Sequence, residues 1–91
     1  MSNNNDQEFI EAISFAQSGT NRCKVINALG NNIRIPSQIA QDLDLRLSQI
    51  SATLSELKTA NIVVCINEEK KRGRLYKLTD LGLQVYEFLE D

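Results

Sequence analysis

The residues that could do chemistry in this chain are short polar side chains in one segment and cations in another. Between residues 48 and 55, hydroxyl and amide groups stand where an exposed helix usually carries long charged side chains. Such groups can hydrogen-bond the edges of DNA bases in the major groove. Four cations then lie within five residues, a density that suits contact with phosphate: Lys70, Lys71, Arg72 and Arg74.

The chain offers no comparable set for catalysis or metal binding. Histidine is absent, the carboxylates form no pair, and the glycines lack the spacing of a phosphate-binding loop. Cys23 and Cys65 lie far apart in sequence among apolar neighbours, which predicts two buried thiols rather than ligands or redox centres. We therefore expect a protein that is not an enzyme and that uses no metal or cofactor.

Two short helices joined by a tight turn are predicted to carry the polar segment. Apolar residues recur at one-turn spacing in both: Ile39, Ala40, Leu43 and Leu45, then Leu47, Ile50, Leu54 and Leu57. Pro36 suits the first turn of the first helix, and Asn61 can adopt the left-handed conformation that ends the second. The second helix is predicted over 46–60, with its end at Thr59 or Ala60.

A hairpin and a final helix are predicted after this unit. The β-branched run 62–67 and the alternating run 74–78 predict two strands. The basic, glycine-containing segment between them predicts a turn. Thr79 and Asp80 are expected to cap the last helix.

The first third of the chain predicts two further helices and a short strand. The helices are expected over 6–18 and from a cap at Thr20 or Asn21 to Gly30, and the strand over 33–35. The predicted order is helix-helix-strand-helix-helix-strand-strand-helix. This order gives an α+β fold in one domain spanning 1–91.

Three motifs in this order carry a family resemblance. They are Ile39-Ala40 before the turn, the run 54–63 that ends in Ala60-Asn61-Ile62-Val63, and 78–82, Leu-Thr-Asp-Leu-Gly. With the basic hairpin, they resemble the winged helix-turn-helix transcriptional regulators of the ArsR and MarR type over residues 20–91. One position departs from the family pattern, because Asn61 stands where the pattern has glycine.

The resemblance implies a regulator that binds double-stranded DNA. Helix 46–60 would read the major groove, and the wing, 67–74, would contact phosphate or the minor groove. Metal sensing of the ArsR kind is not supported, because 37–44 contains neither cysteine nor histidine. The expected DNA-binding residues are Ser37, Arg46, Ser48, Gln49, Ser51, Ala52, Thr53, Lys70, Lys71, Arg72 and Arg74.

The charge distribution agrees with this expectation although the formal net charge is −2. Residues 46–78 contain Arg46, Lys58, Lys70, Lys71, Arg72, Arg74 and Lys77, against Glu56, Glu68 and Glu69. The segment after Leu78 carries only acids: Asp80, Glu87, Glu90 and Asp91. This segregation would let one face meet phosphate while the other faces solvent or a partner.

The two terminal helices carry more apolar surface than one core-facing stripe requires. A homodimer through these helices would cover that surface. A compact monomer in which the terminal helices pack on each other is the alternative. The expected interface residues are Phe9, Ile10, Ile13, Leu83, Tyr86 and Phe88.

Two functional interpretations remain open. The first is a dimeric DNA-binding regulator, and the second is a winged-helix module that binds proteins in a transcription or other assembly and reads no bases. No apolar run approaches the roughly 20 residues that a membrane span needs. The polar opening, 1–6, also lacks the features of a signal peptide. We expect a cytoplasmic protein without a membrane partner.

Overall fold

The computed structural model describes residues 3–90, with side chains over 7–90. Met1, Ser2 and Asp91, which belong to the polar opening and the acidic tail, lie outside the described residues. Over the described residues the fold is α+β, as predicted. Five helices and a two-stranded sheet follow in the order α1 (Asn3–Gln17), α2 (Thr20–Leu29), α3 (Pro36–Leu43), α4 (Leu47–Thr59), β1 (Val63–Cys65), β2 (Tyr76–Leu78) and α5 (Asp80–Glu90).

The α3–α4 pair begins and ends where the sequence predicts. Pro36 occupies the first turn of α3, where its missing N–H costs no hydrogen bond. After α4, Asn61 has φ of 62°. This conformation lets the next main-chain N–H, of Ile62, donate to the carbonyl of Leu57 at 2.8 Å. The predicted end at Thr59 or Ala60 is confirmed.

The start of α2 differs from the prediction. Gly19 is the N-cap, and Thr20 is already the first helical residue without acting as a side-chain cap. The carbonyl of Gly19 accepts from the main-chain N–H groups of Arg22 and Cys23 at 3.1 and 3.4 Å. The predicted cap at Thr20 or Asn21 is therefore wrong.

The two strands are shorter than the predicted strands 62–67 and 74–78. In antiparallel register, Val63 faces Leu78, and Cys65 faces Tyr76. The predicted strand over 33–35 is a single bridge, in which Arg34 and Tyr76 exchange main-chain hydrogen bonds of 3.0 and 2.8 Å. Only one residue pairs because α3 begins at Pro36, which has no N–H to donate.

The core lies between the helices and the inner face of the sheet. Every helix, the turn after α4 and strand β1 contribute fully buried side chains, and the large ones include Ile26, Leu29, Ile39, Ile50, Leu54, Leu57, Ile62, Val63 and Val85. Cys65 is buried as predicted, whereas Cys23 is only half-buried. The thiol of Cys23 donates to the carbonyl of Ala16 at 3.2 Å, at the edge of the α1–α2 contact.

The start of helix α5 lies against the turn that joins α4 to β1, through a close main-chain contact with Ile62. Thr79 caps α5 as predicted, because its Oγ1 accepts from the N–H of Gly82 at 2.9 Å. The N–H of Thr79 donates to the carbonyl of Ile62 at 3.0 Å. A β-carbon on Gly82 would lie 2.1 Å from that same carbonyl oxygen, so only glycine allows this approach.

The terminal helices pack on each other within one chain. The rings of Phe9 and Phe88 meet edge to face, with centroids 5.9 Å apart. This contact fits the compact alternative that the sequence left open. None of the described helices is both long enough and apolar enough to cross a membrane.

Candidate functional site

A groove of about 620 Å³ separates α4 from the loop that joins β1 to β2. We refer to this loop, residues 66–75, as the hairpin loop. The groove is lined by α4, the start of α3, the hairpin loop and Tyr76. Its lining contains four cations and no carboxylate, and we name it the basic groove. The polar lining residues are Ser37, Ser51, Ser55, Lys58, Lys71, Arg72 and Arg74.

Helix α4 forms one wall of the basic groove, and its buried face fixes that wall. Ile50, Leu54 and Leu57 are almost fully buried, at 0–1 % exposure. Ser51, Ser55 and Lys58 follow at helical spacing and therefore share a neighbouring face that looks into the groove. Beside them, Ser48 and Ala52 are also exposed. The outer surface of α4 thus consists largely of short side chains.

The hairpin loop forms the other wall, and polar contacts hold its shape. The Oδ1 atom of Asn67 accepts from the main-chain N–H of Leu75 at 2.7 Å, and its Nδ2 donates to the carbonyl of Gly73 at 3.2 Å. The first of these bonds takes the N–H that could otherwise extend the β-ladder. The paired strands therefore end at Cys65 and Tyr76 rather than at 67 and 74, the limits that the sequence predicts.

Arg74 also works within the hairpin loop. Its Nε donates to the carbonyl of Lys70 at 2.6 Å, and its Nη2 donates to the carbonyl of Glu68 at 3.2 Å. Two of its five N–H groups are thus committed to the main chain. Arg74, one of the predicted DNA-binding residues, lines the basic groove, and it shapes the loop as well as adding charge.

An ion pair joins the two walls. The Nζ atom of Lys58 lies 2.5 Å from Oε2 of Glu68, and both side chains are about half exposed. The hydrogen bond to Lys58 and the charge of its ammonium lower the pKa of Glu68. The same hydrogen bond raises the pKa of Lys58. Both groups are therefore charged near neutral pH, and Glu68 places one negative charge at the edge of the cationic groove.

The predicted DNA-binding residues fall into three groups. Those that line the basic groove are Ser37, Ser51, Lys71, Arg72 and Arg74. Those that are exposed outside its lining are Arg46, Ser48, Gln49, Ala52 and Lys70. Thr53 is the exception, because it is only 6 % exposed and faces α2 from the buried side of α4. The prediction that Thr53 lies on the DNA-facing side of the helix is wrong.

The side chain of Gln49 caps the start of α4, and this capping hydrogen bond competes with the contact to a DNA base predicted for Gln49. Its Oε1 atom accepts from the main-chain N–H of Arg46 at 3.1 Å and so caps the start of α4. Gln38 caps α3 in the same way, through the N–H of Ile35 at 3.4 Å. A two-point contact of Gln49 with adenine would need the capping oxygen to accept a second hydrogen bond or to release the first.

Sequence reasoning included Ser55 in the polar face of the predicted helix, Asn67 in the wing and Lys58 in the charge of residues 46–78, but it assigned no specific contact to Lys58 or Asn67. The position of Lys58 carried a usable signal, because it lies seven residues after Ser51 and so shares its helix face. Asn67 carried no such signal, because its hydrogen-bond partners, Gly73 and Leu75, are brought close to it only by the folding of the loop.

The six predicted dimer residues divide by exposure. Ile10 and Phe88 are 62 % and 49 % exposed. The other four are half-buried and pack against the core of their own chain: Phe9, Ile13, Leu83 and Tyr86. The terminal helices therefore bury part of their apolar surface internally and leave a smaller exposed remainder.

Metal chemistry has no visible site, because no group of three or more potential ligands occurs among the residues whose side chains are described. In comparisons with known proteins, no protein-family model and no curated protein sequence matches the chain.

Proposed function

We propose that the protein is a DNA-binding transcriptional regulator of the winged-helix type. Helix α4 would enter the major groove, and the wing, 67–74 within the hairpin loop, would contact phosphate or the minor groove. The observation that carries the proposal is the basic groove, whose lining has four cations and no carboxylate. A polyanion is the ligand that such a surface attracts most strongly.

The outer surface of α4 supports the same proposal. Ser48, Ser51, Ala52 and Ser55 are exposed and short, so the helix axis can approach another surface closely. The hydroxyl groups can serve as donors or acceptors to bases or phosphates, and the Ala52 methyl can contact a thymine methyl. Arg46, exposed at the start of α4, is suited to a flanking phosphate.

The proposal includes a homodimer, because Ile10 and Phe88 leave apolar surface exposed on the packed terminal helices. A twofold dimer would present two α4 helices to successive turns of DNA. Its preferred site would then be an inverted repeat with half-sites about ten base pairs apart, or a multiple of that spacing. Sedimentation equilibrium of wild type, Ile10→Asp and Phe88→Asp tests the interface. If all three proteins are dimers, this surface is not the dimer interface. If wild type is a monomer both free and bound to DNA, the dimer itself is excluded.

A salt titration of binding to random duplex DNA tests the central claim. The slope of log K against log salt should be steep for wild type and reduced by about 0.9 for each of Lys71→Ala and Arg72→Ala. Lys24→Ala is the matched control, because Lys24 is exposed on α2 and outside the groove lining. Equal slopes for all four proteins would exclude contact between the hairpin loop and DNA.

The second candidate is a protein-interaction module. It is favoured by Leu47 and Ile66, which are 52 % and 47 % exposed at the start of α4 and of the hairpin loop. Exposed apolar side chains can be buried at a protein interface, whereas they make no favourable contact with charged phosphate groups. This candidate predicts no salt-dependent binding to duplex DNA, so the same titration separates the two.

A further inference from the structure

Glu68 is the only carboxylate among the described residues that pairs with a cation of the groove lining. We infer that Glu68 acts as an internal anion, which occupies Lys58 in the free protein and thereby weakens the binding of a nucleic-acid phosphate to the basic groove. This inference rests on the proposed function. It assigns to Glu68 a regulatory contact that restrains affinity.

The geometry gives Glu68 an advantage over a phosphate in solution. The main chain of Glu68 is held in place, because its carbonyl accepts from Arg74 and the neighbouring Asn67 clamps the loop. The carboxylate is therefore held beside Lys58, whereas a free phosphate must first bind from solution. Because it is tethered, the carboxylate has a high effective concentration near Lys58 and is favoured over weakly bound anions from solution.

The pair is nevertheless open to exchange. The side chains of Lys58 and Glu68 are 40 % and 51 % exposed, so water and ions reach both groups. Exposed ion pairs are weak, and a closely held array of phosphates can replace one carboxylate. Glu68 would thus restrain binding to isolated or poorly placed phosphates more than binding to a fully engaged duplex.

The chain supplies a matched control one residue away. Glu69 is exposed and carries the same charge, but it joins none of the ion pairs found in the described part of the chain. Replacing either residue by glutamine changes the net charge by the same amount. Only Glu68→Gln removes the charge that pairs with the ammonium of Lys58.

The test compares wild type, Glu68→Gln and Glu69→Gln in salt titrations on one random duplex. Glu68→Gln should bind severalfold more tightly at low salt, and its slope of log K against log salt should steepen by about 0.9, because Lys58 gains a phosphate contact. Glu69→Gln should tighten binding less and leave the slope unchanged. In a Lys58→Gln background, the additional gain from Glu68→Gln should disappear.

The outcomes separate this inference from the proposed function. If wild type shows salt-dependent binding but Glu68→Gln behaves like Glu69→Gln, the restraint by Glu68 is wrong and the proposed function stands. If Glu68→Gln still tightens binding more than Glu69→Gln does in the Lys58→Gln background, the inference is also overturned, since the excess gain would not act through Lys58. If none of the proteins binds duplex at any salt concentration, both fail together.

Discussion

The two walls of the basic groove are built by different kinds of force. Helix α4 is anchored by fully buried apolar side chains. The hairpin loop is instead anchored by hydrogen bonds between its own main chain and the side chains of Asn67 and Arg74. Burial of apolar surface couples α4 to the stability of the whole domain. The polar contacts of the loop act locally. One surface can therefore combine a rigid wall with a wall that can be altered without unfolding the protein.

The largest effect should come from α4. Leu54→Ala removes a side chain that is 1 % exposed and should lower the free energy of unfolding by about 2 to 5 kcal/mol, through lost burial and a residual cavity. Chemical denaturation followed by circular dichroism measures this loss. A loss below 1 kcal/mol would show that α4 is not anchored by its buried face.

A smaller and more local effect is expected at Asn67. Asn67→Ala leaves the N–H of Leu75 without its acceptor and should lower the free energy of unfolding by about 1 kcal/mol. Asn67→Asp is the matched variant, because it keeps the acceptor for Leu75 while it loses the donor to Gly73 and gains a negative charge. Hydrogen exchange at Leu75 should accelerate in the alanine variant and much less in the aspartate variant. Equal acceleration in both would assign the ordering of the loop to other contacts.

The start of α4 should respond to changes at Gln49. Gln49→Ala removes the acceptor for the N–H of Arg46 and should lower the free energy of unfolding by up to about 1 kcal/mol. Gln49→Glu keeps that acceptor and should retain the stability of wild type. In DNA binding both variants should lose affinity for a preferred site, because neither can donate to adenine. If Gln49→Glu retains both stability and site preference, Gln49 is a cap and does not read bases.

The smallest effect should be the pH dependence of the Lys58–Glu68 pair. The pKa of Glu68 is lower in the folded chain than its ordinary value of 4.5, so the pair stabilises the fold above that pH. This stabilisation should disappear as the pH falls through the lowered pKa. Thermal unfolding of wild type and Glu68→Gln across acidic pH measures it as a small difference in Tm that vanishes on acidification. A difference that is constant with pH would exclude the ion pair as its source.

Local patterns were sufficient to predict most of the fold. Pro36, Asn61 and Thr79 each restrict the main chain through their own chemistry, so the limits of α3, α4 and α5 could be predicted without tertiary contacts. The strand limits could not, because a side chain, Asn67, takes the N–H at which the ladder would have continued. This hydrogen bond forms only when the loop folds back on itself, and the spacing of residues in the sequence does not predict that fold.

The site was predicted in part for a similar reason. Helical spacing predicts that Ser51 lies on the exposed face of α4, and the hairpin prediction places the cations in the loop. Both sets of residues line the basic groove. The burial of Thr53 was missed because the breadth of the buried face of α4 depends on how α2 packs against it. The pairing of Lys58 with Glu68 was missed because it depends on the path of the hairpin loop.

Two glycines set different limits on how this sequence can vary among related chains. At Gly82 the constraint is space, since a β-carbon would overlap the carbonyl oxygen of Ile62, and no other residue is expected to be tolerated with α5 in place. At Gly73 the constraint is only a φ of 68°, with nothing within 4 Å of a built β-carbon. Asparagine, which enters this conformation readily, is an acceptable substitute there. Gly82 is therefore the better marker for finding distant relatives, and the hairpin loop is the place where those relatives can diverge.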